Sequence, residues 1–193
     1  MTGVQTCALP ISRQPPPPPD TGKLRIDFIT RGDGTNLRCD LAGSATGTWY
    51  WSDGTSSPAV SGASTAKSGL GAGEHAGYLL VSNGSALTRF GAADGGGQGH
   101  LIAIGGLDKA PLLEVLYAYN EDGLAKLSRT AATKIREYHL WGTALTPAAI
   151  DRVFADAAAS GVRRGRMWSP NRGTPASDKA RAVLAERQWE ISY

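Results

Sequence analysis

Three phrases of one pattern recur in the back half of this chain: ALTRFGAAD, LLEVLYAYN and IREYHLWGT. Each reads apolar-x-x-apolar-x-small or apolar and then a polar or turn residue, with Leu87, Leu113 and Ile135 leading. The spacings, about 26 and about 22 residues, suit a coil that runs out along one strand and returns. One such coil cannot bury its own apolar edge, so neighbouring coils must complete the core. HLIAIGGLDKAP and GLAKLSRTAATK fill the returns, with Leu101, Ile104 and Leu107 in one and Leu124 and Leu127 in the next.

The end of the chain supplies a cover. Thr146-Pro147 is an N-cap followed by proline at the first helical position. Ala148 to Ser160 then places Ile150, Val153, Phe154 and Ala157 on one helical stripe, and Gly161 stops it. RRGRMWSP predicts a short strand around Met167 and Trp168 that joins the repeat sheet. Ala176 to Arg187 predicts a second helix with Ala180, Val183 and Leu184 inward, and Gln188 to Tyr193 a last strand with Trp189 and Ile191 buried. Together these phrases resemble the irregular leucine-rich repeats of bacterial-surface and phage-associated proteins, over about residues 85–193. The resemblance implies that Asn120 bonds the turn backbone, that Asp94 does so in the first copy, and that Gly142-Thr143 replaces it in the third. It also implies a C-terminal helical cap.

The front half alternates differently. KLRIDFIT sets Leu24, Ile26 and Phe28 on one face, and NLRCDLAG does the same with Leu37, Cys39 and Leu41. With Asp33-Gly34 between them, the two runs predict a hairpin. GTWYWSDGTSS then puts Trp49 and Trp51 on one strand face before an Asp53-Gly54-Thr55 turn. This phrase, with Gly77-Tyr78-Leu79-Leu80-Val81, resembles the polycystic-kidney-disease (PKD-like) β-sandwich domains over about residues 23–83, with Ser52 where those domains carry glycine. The expected fold is therefore α+β, mostly β: a small β-sandwich (PKD/Ig-like) followed by a short leucine-rich-repeat solenoid with a C-terminal helical cap. The expected divisions are 23–84 for the sandwich and 85–193 for the repeats. About 60 residues are marginal as an independent fold, and the front strands would then continue the repeat sheet.

Upstream, residues 1–12 (MTGVQTCALPIS) resemble a translated sequencing adapter and are set aside. Without Cys7 only Cys39 remains, which leaves no internal disulfide and no cysteine zinc site. Residues 13–22 contain the run Pro15 to Pro19, an extended spacer or PxxP ligand. Of 193 residues, 41% are hydrophobic and 19% charged, so neither a charged disordered tail nor a membrane bundle fits. No apolar run approaches the roughly 18 residues that span a bilayer. A net charge of +3 does not form the dense basic stripe of a nucleic-acid binder.

Chemistry is sparse. His75, His100 and His139 have no metal spacing, and no nucleophile elbow, Walker loop or dinucleotide fingerprint occurs. GAADGGGQGH lacks the lysine of a phosphate loop, and nothing draws Asp33 and Asp53 into one cleft. No catalytic residue, metal or cofactor is expected. The outward positions of the repeat strands include Arg89, Glu114, Arg136 and Glu137, although strict alternation cannot expose both Arg136 and Glu137. Tyr117, Tyr119, His139 and Trp141 share a parity opposite to Leu116 and Leu140, which predicts an outward aromatic strip suited to a glycan or peptide. Arg163, Arg164, Arg166 and Arg172 surround Trp168, a second candidate for phosphate or acidic glycan, although a solvated rim accounts for them more simply. The function these signals imply is a non-catalytic binding or adhesion module, extracellular, cell-surface or virion-associated, with a protein or glycan partner. An accessory part of a larger secreted or phage enzyme is the alternative, and a stand-alone hydrolase fits worst.

Overall fold

The computed structural model describes residues 23–32, 35–92 and 100–193. The expectations for residues 1–22, the Asp33-Gly34 turn, Asp94 and the glycine-rich stretch 93–99 lie outside the described residues.

Period-two alternation forms the front strands: β1 (Leu24–Arg31), β2 (Thr35–Leu41), β3 (Gly47–Tyr50), β4 (Ser56–Ala59), β5 (Ser64–Lys67) and β6 (Glu74–Val81). Every second residue of β1 is buried, from Leu24 through Thr30. The chain continues with β7 (Leu87–Ala92), β8 (Leu101–Gly105), β9 (Val115–Tyr117), β10 (Lys126–Leu127) and β11 (Glu137–His139). It ends with α1 (Pro147–Ser160), β12 (Arg166–Trp168), α2 (Asp178–Glu186) and β13 (Glu190–Ser192).

Among the described residues the strands form two mixed sheets. A six-stranded sheet has the order β10-β8-β1-β6-β3-β4, and a seven-stranded sheet the order β13-β12-β11-β9-β7-β2-β5. The hairpin expected between β1 and β2 does not form. β1 pairs with β6 and β8 in one sheet, while β2 pairs with β5 and β7 in the other. Alternation fixes which face of a strand is buried, not which strand it pairs with. Here Leu24, Ile26 and Phe28 come from one sheet, and Leu37 and Cys39 from the other, into a common core. Phe28, Trp49, Trp51 and Phe90 meet there, with ring centroids 5.6–6.2 Å apart.

From β7 onward the chain alternates between sheets: β7, β9 and β11 in the seven-stranded sheet, β8 and β10 as returns in the six-stranded one. Neighbouring outgoing strands are parallel and in register, Phe90 against Leu116, Leu116 against Tyr138, Tyr138 against Met167 and Met167 against Ile191. Leu87, Leu113 and Ile135 each sit three residues ahead of that ladder, and all three are fully buried. The return residues Leu101, Ile104, Leu107 and Leu124 are buried, and Leu127 partly so. The segments before and after residue 84 therefore share both sheets and one hydrophobic core.

Both helices are crossovers between parallel strands, α1 from β11 to β12 and α2 from β12 to β13. Thr146 caps α1 by accepting from the Ala149 amide, and Gly161 closes it at φ 80°. Ile150, Val153, Phe154 and Ala157 are buried and join the core with Tyr138, Leu140 and Met167. At this end, helices stand in for the second sheet as the inner layer. α2 is shorter than expected, because Pro175–Ser177 is a 3-10 turn. Leu184 is its buried contact, with Ala180 and Val183 half-buried.

Candidate functional site

Burial of Leu116, Ala118, Tyr138 and Leu140 leaves the alternate residues of β9, β11 and their extensions on the outward face. Tyr117, Tyr119, His139 and Trp141 all lie there. The register places Tyr117, His139 and Trp168 side by side on β9, β11 and β12. The Tyr117 and His139 rings are 4.7 Å apart, and His139 stacks on Trp168 at 4.3 Å with 21° between planes. The Arg89 guanidinium sits over Tyr117, 4.8 Å from its centroid. Alongside, Tyr119 stacks on Trp141 at 5.4 Å and 24°, and Trp141 is 45% exposed. Each such pair adds about 0.5–1.5 kcal/mol beyond burial, so the rings are held in place before any ligand arrives.

A charged row runs beside the rings. Arg89, Val115, Glu137, Arg166 and Glu190 face one another across successive strands. Glu137 bonds the His139 imidazole at 3.1 Å and fixes its orientation. Arg136 reaches Glu114 at 3.1 Å and Glu137 at 3.5 Å. Both Arg136 and Glu137 keep solvent contact because the strand begins only at Glu137, so alternation does not yet constrain Arg136.

The arginine cluster is divided. Arg166 stands on the outward face in an ion pair with Glu190 at 3.0 Å. Arg164 lies ahead of β12 with φ 58° and bonds Gln188, and Arg163 is exposed beside it. Arg172 covers the Tyr193 ring instead. Trp168, expected on a sheet strand, stands beside His139 as a further member of the strip, which the phrase RRGRMWSP alone does not reveal. Its register against His139 was the missing signal.

Among the described residues, the bond expected from the Asn120 side chain to the turn backbone does not form. Asn120 is exposed, with φ 57°, and its backbone N–H donates to the Trp141 carbonyl at 2.9 Å. Gly142, in the corresponding place on the next rung, packs so closely on Asn120 that a Cβ would lie 2.6 Å from its Oδ1.

A second surface feature was not foreseen. On the outward face of the six-stranded sheet a groove of about 370 Å³ lies among Arg25, Asp27, Ile29, Ala76, Tyr78 and Gly105. Arg25 covers Tyr78, which stacks on Tyr50 at 4.6 Å. Among the described residues no group of three or more His, Cys, Asp or Glu side chains is placed to hold a metal ion. Glu121 is a buried carboxylate, raised in pKa by that burial, and it accepts from the Leu101 amide at 2.7 Å. Burial pushes the Cys39 thiol up to about 12, which keeps it protonated and unreactive. No helix in the described residues is long and apolar enough to cross a membrane. No protein-family model, curated protein or solved structure matches this chain.

Proposed function

We propose that this chain is a non-catalytic binding module that presents the outward face of its seven-stranded sheet to a protein or glycan. The single observation that carries the reading is the pre-stacked ring array Tyr117–His139–Trp168 and Tyr119–Trp141, flanked by the charged row Arg89, Glu137, Arg166 and Glu190. Neighbouring aromatic rings gathered on one outward face, rather than a single exposed ring, are what interaction surfaces are enriched in. The in-register parallel ladder and alternating returns support a short leucine-rich-repeat-like stack, with PKD-like strands continuing its sheets. An extracellular, cell-surface or virion location is part of the same proposal, since adhesion modules act there.

Glycan and peptide arrays probed with the chain, alongside Tyr119→Ala and Trp141→Ala, test it. Loss of a stacked anchor is expected to cost about 2 kcal/mol, roughly a thirtyfold weaker Kd. Binding that is unchanged in both variants and in Trp168→Ala overturns the assignment of this face.

A further inference from the structure

We infer that the ligand is a neutral glycan and that one of its pyranose rings seats on Trp168, over Ser192, at the end of the ring ladder. This rests on the outward face being the binding surface and adds where on that face a ligand fits and what class it belongs to. The row Gly91, Tyr117, His139, Trp168, Ser192 crosses the sheet from β7 to β13. Within it, Tyr117 lies against His139 and His139 against Trp168, and Arg89, from the adjoining row, lies over Tyr117. His139 stacks on Trp168 and is tilted by 35° against Tyr117, so one face of the Trp168 ring is already covered by the imidazole. The series stops at Trp168, where the next rung carries an exposed serine.

Adjacent strands are about 4.8 Å apart, so the position above Ser192 has the depth of one further ring. The C–H face of a pyranose packs on an indole in that position, as the next step of the ladder. Its hydroxyls then need donors and acceptors on the same side. Arg166 and Glu190 supply both, 57% and 74% exposed, in the adjoining outward row two residues before Trp168 and Ser192. The two charges cancel, which favours a neutral sugar over a sulfated or uronic one. An aromatic peptide side chain would stack on the same indole but leave this donor–acceptor pair unmatched.

The test titrates cellohexaose, xylohexaose and chitohexaose into the full chain and follows tryptophan fluorescence and heat. Ser192→Phe fills the next rung from an exposed site, so the fold persists while the seat is closed. It is expected to weaken binding at least about tenfold, as is Trp168→Ala, whereas Tyr50→Ala, on the outward face of the six-stranded sheet, changes Kd less than about threefold. Equal binding to Ser192→Phe overturns the inference. So does loss in Tyr119→Ala or Trp141→Ala with Ser192→Phe unaffected, a result that keeps the face as a binding surface. A peptide ligand in place of every sugar overturns the ligand class alone, and no ligand for the face at all overturns both proposals.

Discussion

Gly91 joins the antiparallel front of the seven-stranded sheet to its parallel part. It lies in β7 with φ 143°, and a Cβ there would come within 1.8 Å of the Tyr117 carbonyl oxygen. That neighbour is backbone and cannot swing aside. Gly91→Ala is expected to cost about 3 kcal/mol or more and to lower Tm by roughly 6–12 °C. Gly43→Ala is the control: φ is 65°, but nothing lies within 4 Å, so only about 1–2 kcal/mol of backbone strain is added. Equal thermal shifts in the two variants would refute a close approach between β7 and β9. Asp53 makes a second prediction at this scale. Partial burial opposes its ionisation, but bonds from Lys67 and from the Thr55 hydroxyl and amide outweigh that and hold its pKa at about 2. A carboxylate depressed from 3.8 contributes stability above that value and loses it as pH falls towards about 2. The difference in Tm between the parent and Asp53→Asn should therefore be full at neutral pH and shrink below about pH 4. A pH-independent difference would mean that the turn is held by geometry alone.

At the scale of elements, α1 is tied to the strand beneath the ring array by a short polar chain. The buried Asp156 accepts from the Thr130 amide at 2.8 Å and from Arg129, and the Thr130 hydroxyl meets Tyr138 at 2.9 Å. Tyr138 is fully buried directly between Glu137 and His139. Asp156→Ala leaves the Thr130 amide without its acceptor and is expected to cost about 2–3 kcal/mol in urea unfolding. A loss below about 0.5 kcal/mol would show that apolar packing alone seats the helix. This element was legible in the sequence because its signals are local: a Thr-Pro start, a stripe at i, i+3, i+4 and i+7, and a glycine stop. The outward parity of Tyr117, Tyr119, His139 and Trp141 was legible for the same reason, since Leu116 and Leu140 between them had to be inside. Partnership between strands was not. KLRIDFIT and NLRCDLAG carry no record of which sheet each joins, so two consecutive strands that look like a hairpin instead face one another across the core. Trp168 escaped the strip because the surrounding arginines dominate its phrase, and only the β11–β12 register brings it to His139.

At the scale of the molecule, the front and back sequence patterns build the same two sheets. β8, from the back segment, pairs with β1, and β7 pairs with β2. Trp49 from the front packs against Phe90 from the back at 6.0 Å. Removing residues 23–84 would strip partners from both β7 and β8 and expose the inner faces of both sheets. The front strands alone would lose β8 from one side of β1 and β7 from one side of β2. Neither part retains a closed core, so the described residues should open as one cooperative unit. Native-state hydrogen exchange read by mass spectrometry decides this. Amides of β6, in the front, and of β9 and β11, in the back, should exchange with the same opening free energy and the same dependence on added urea. The ring ladder lies on the sheet that both segments build, so a glycan that stabilises the array should slow exchange in β2 as well as in β11. Protection gained only from β9 onward would divide the protein at residue 84 after all, and would make the front strands a passenger rather than part of the platform that holds the rings in register.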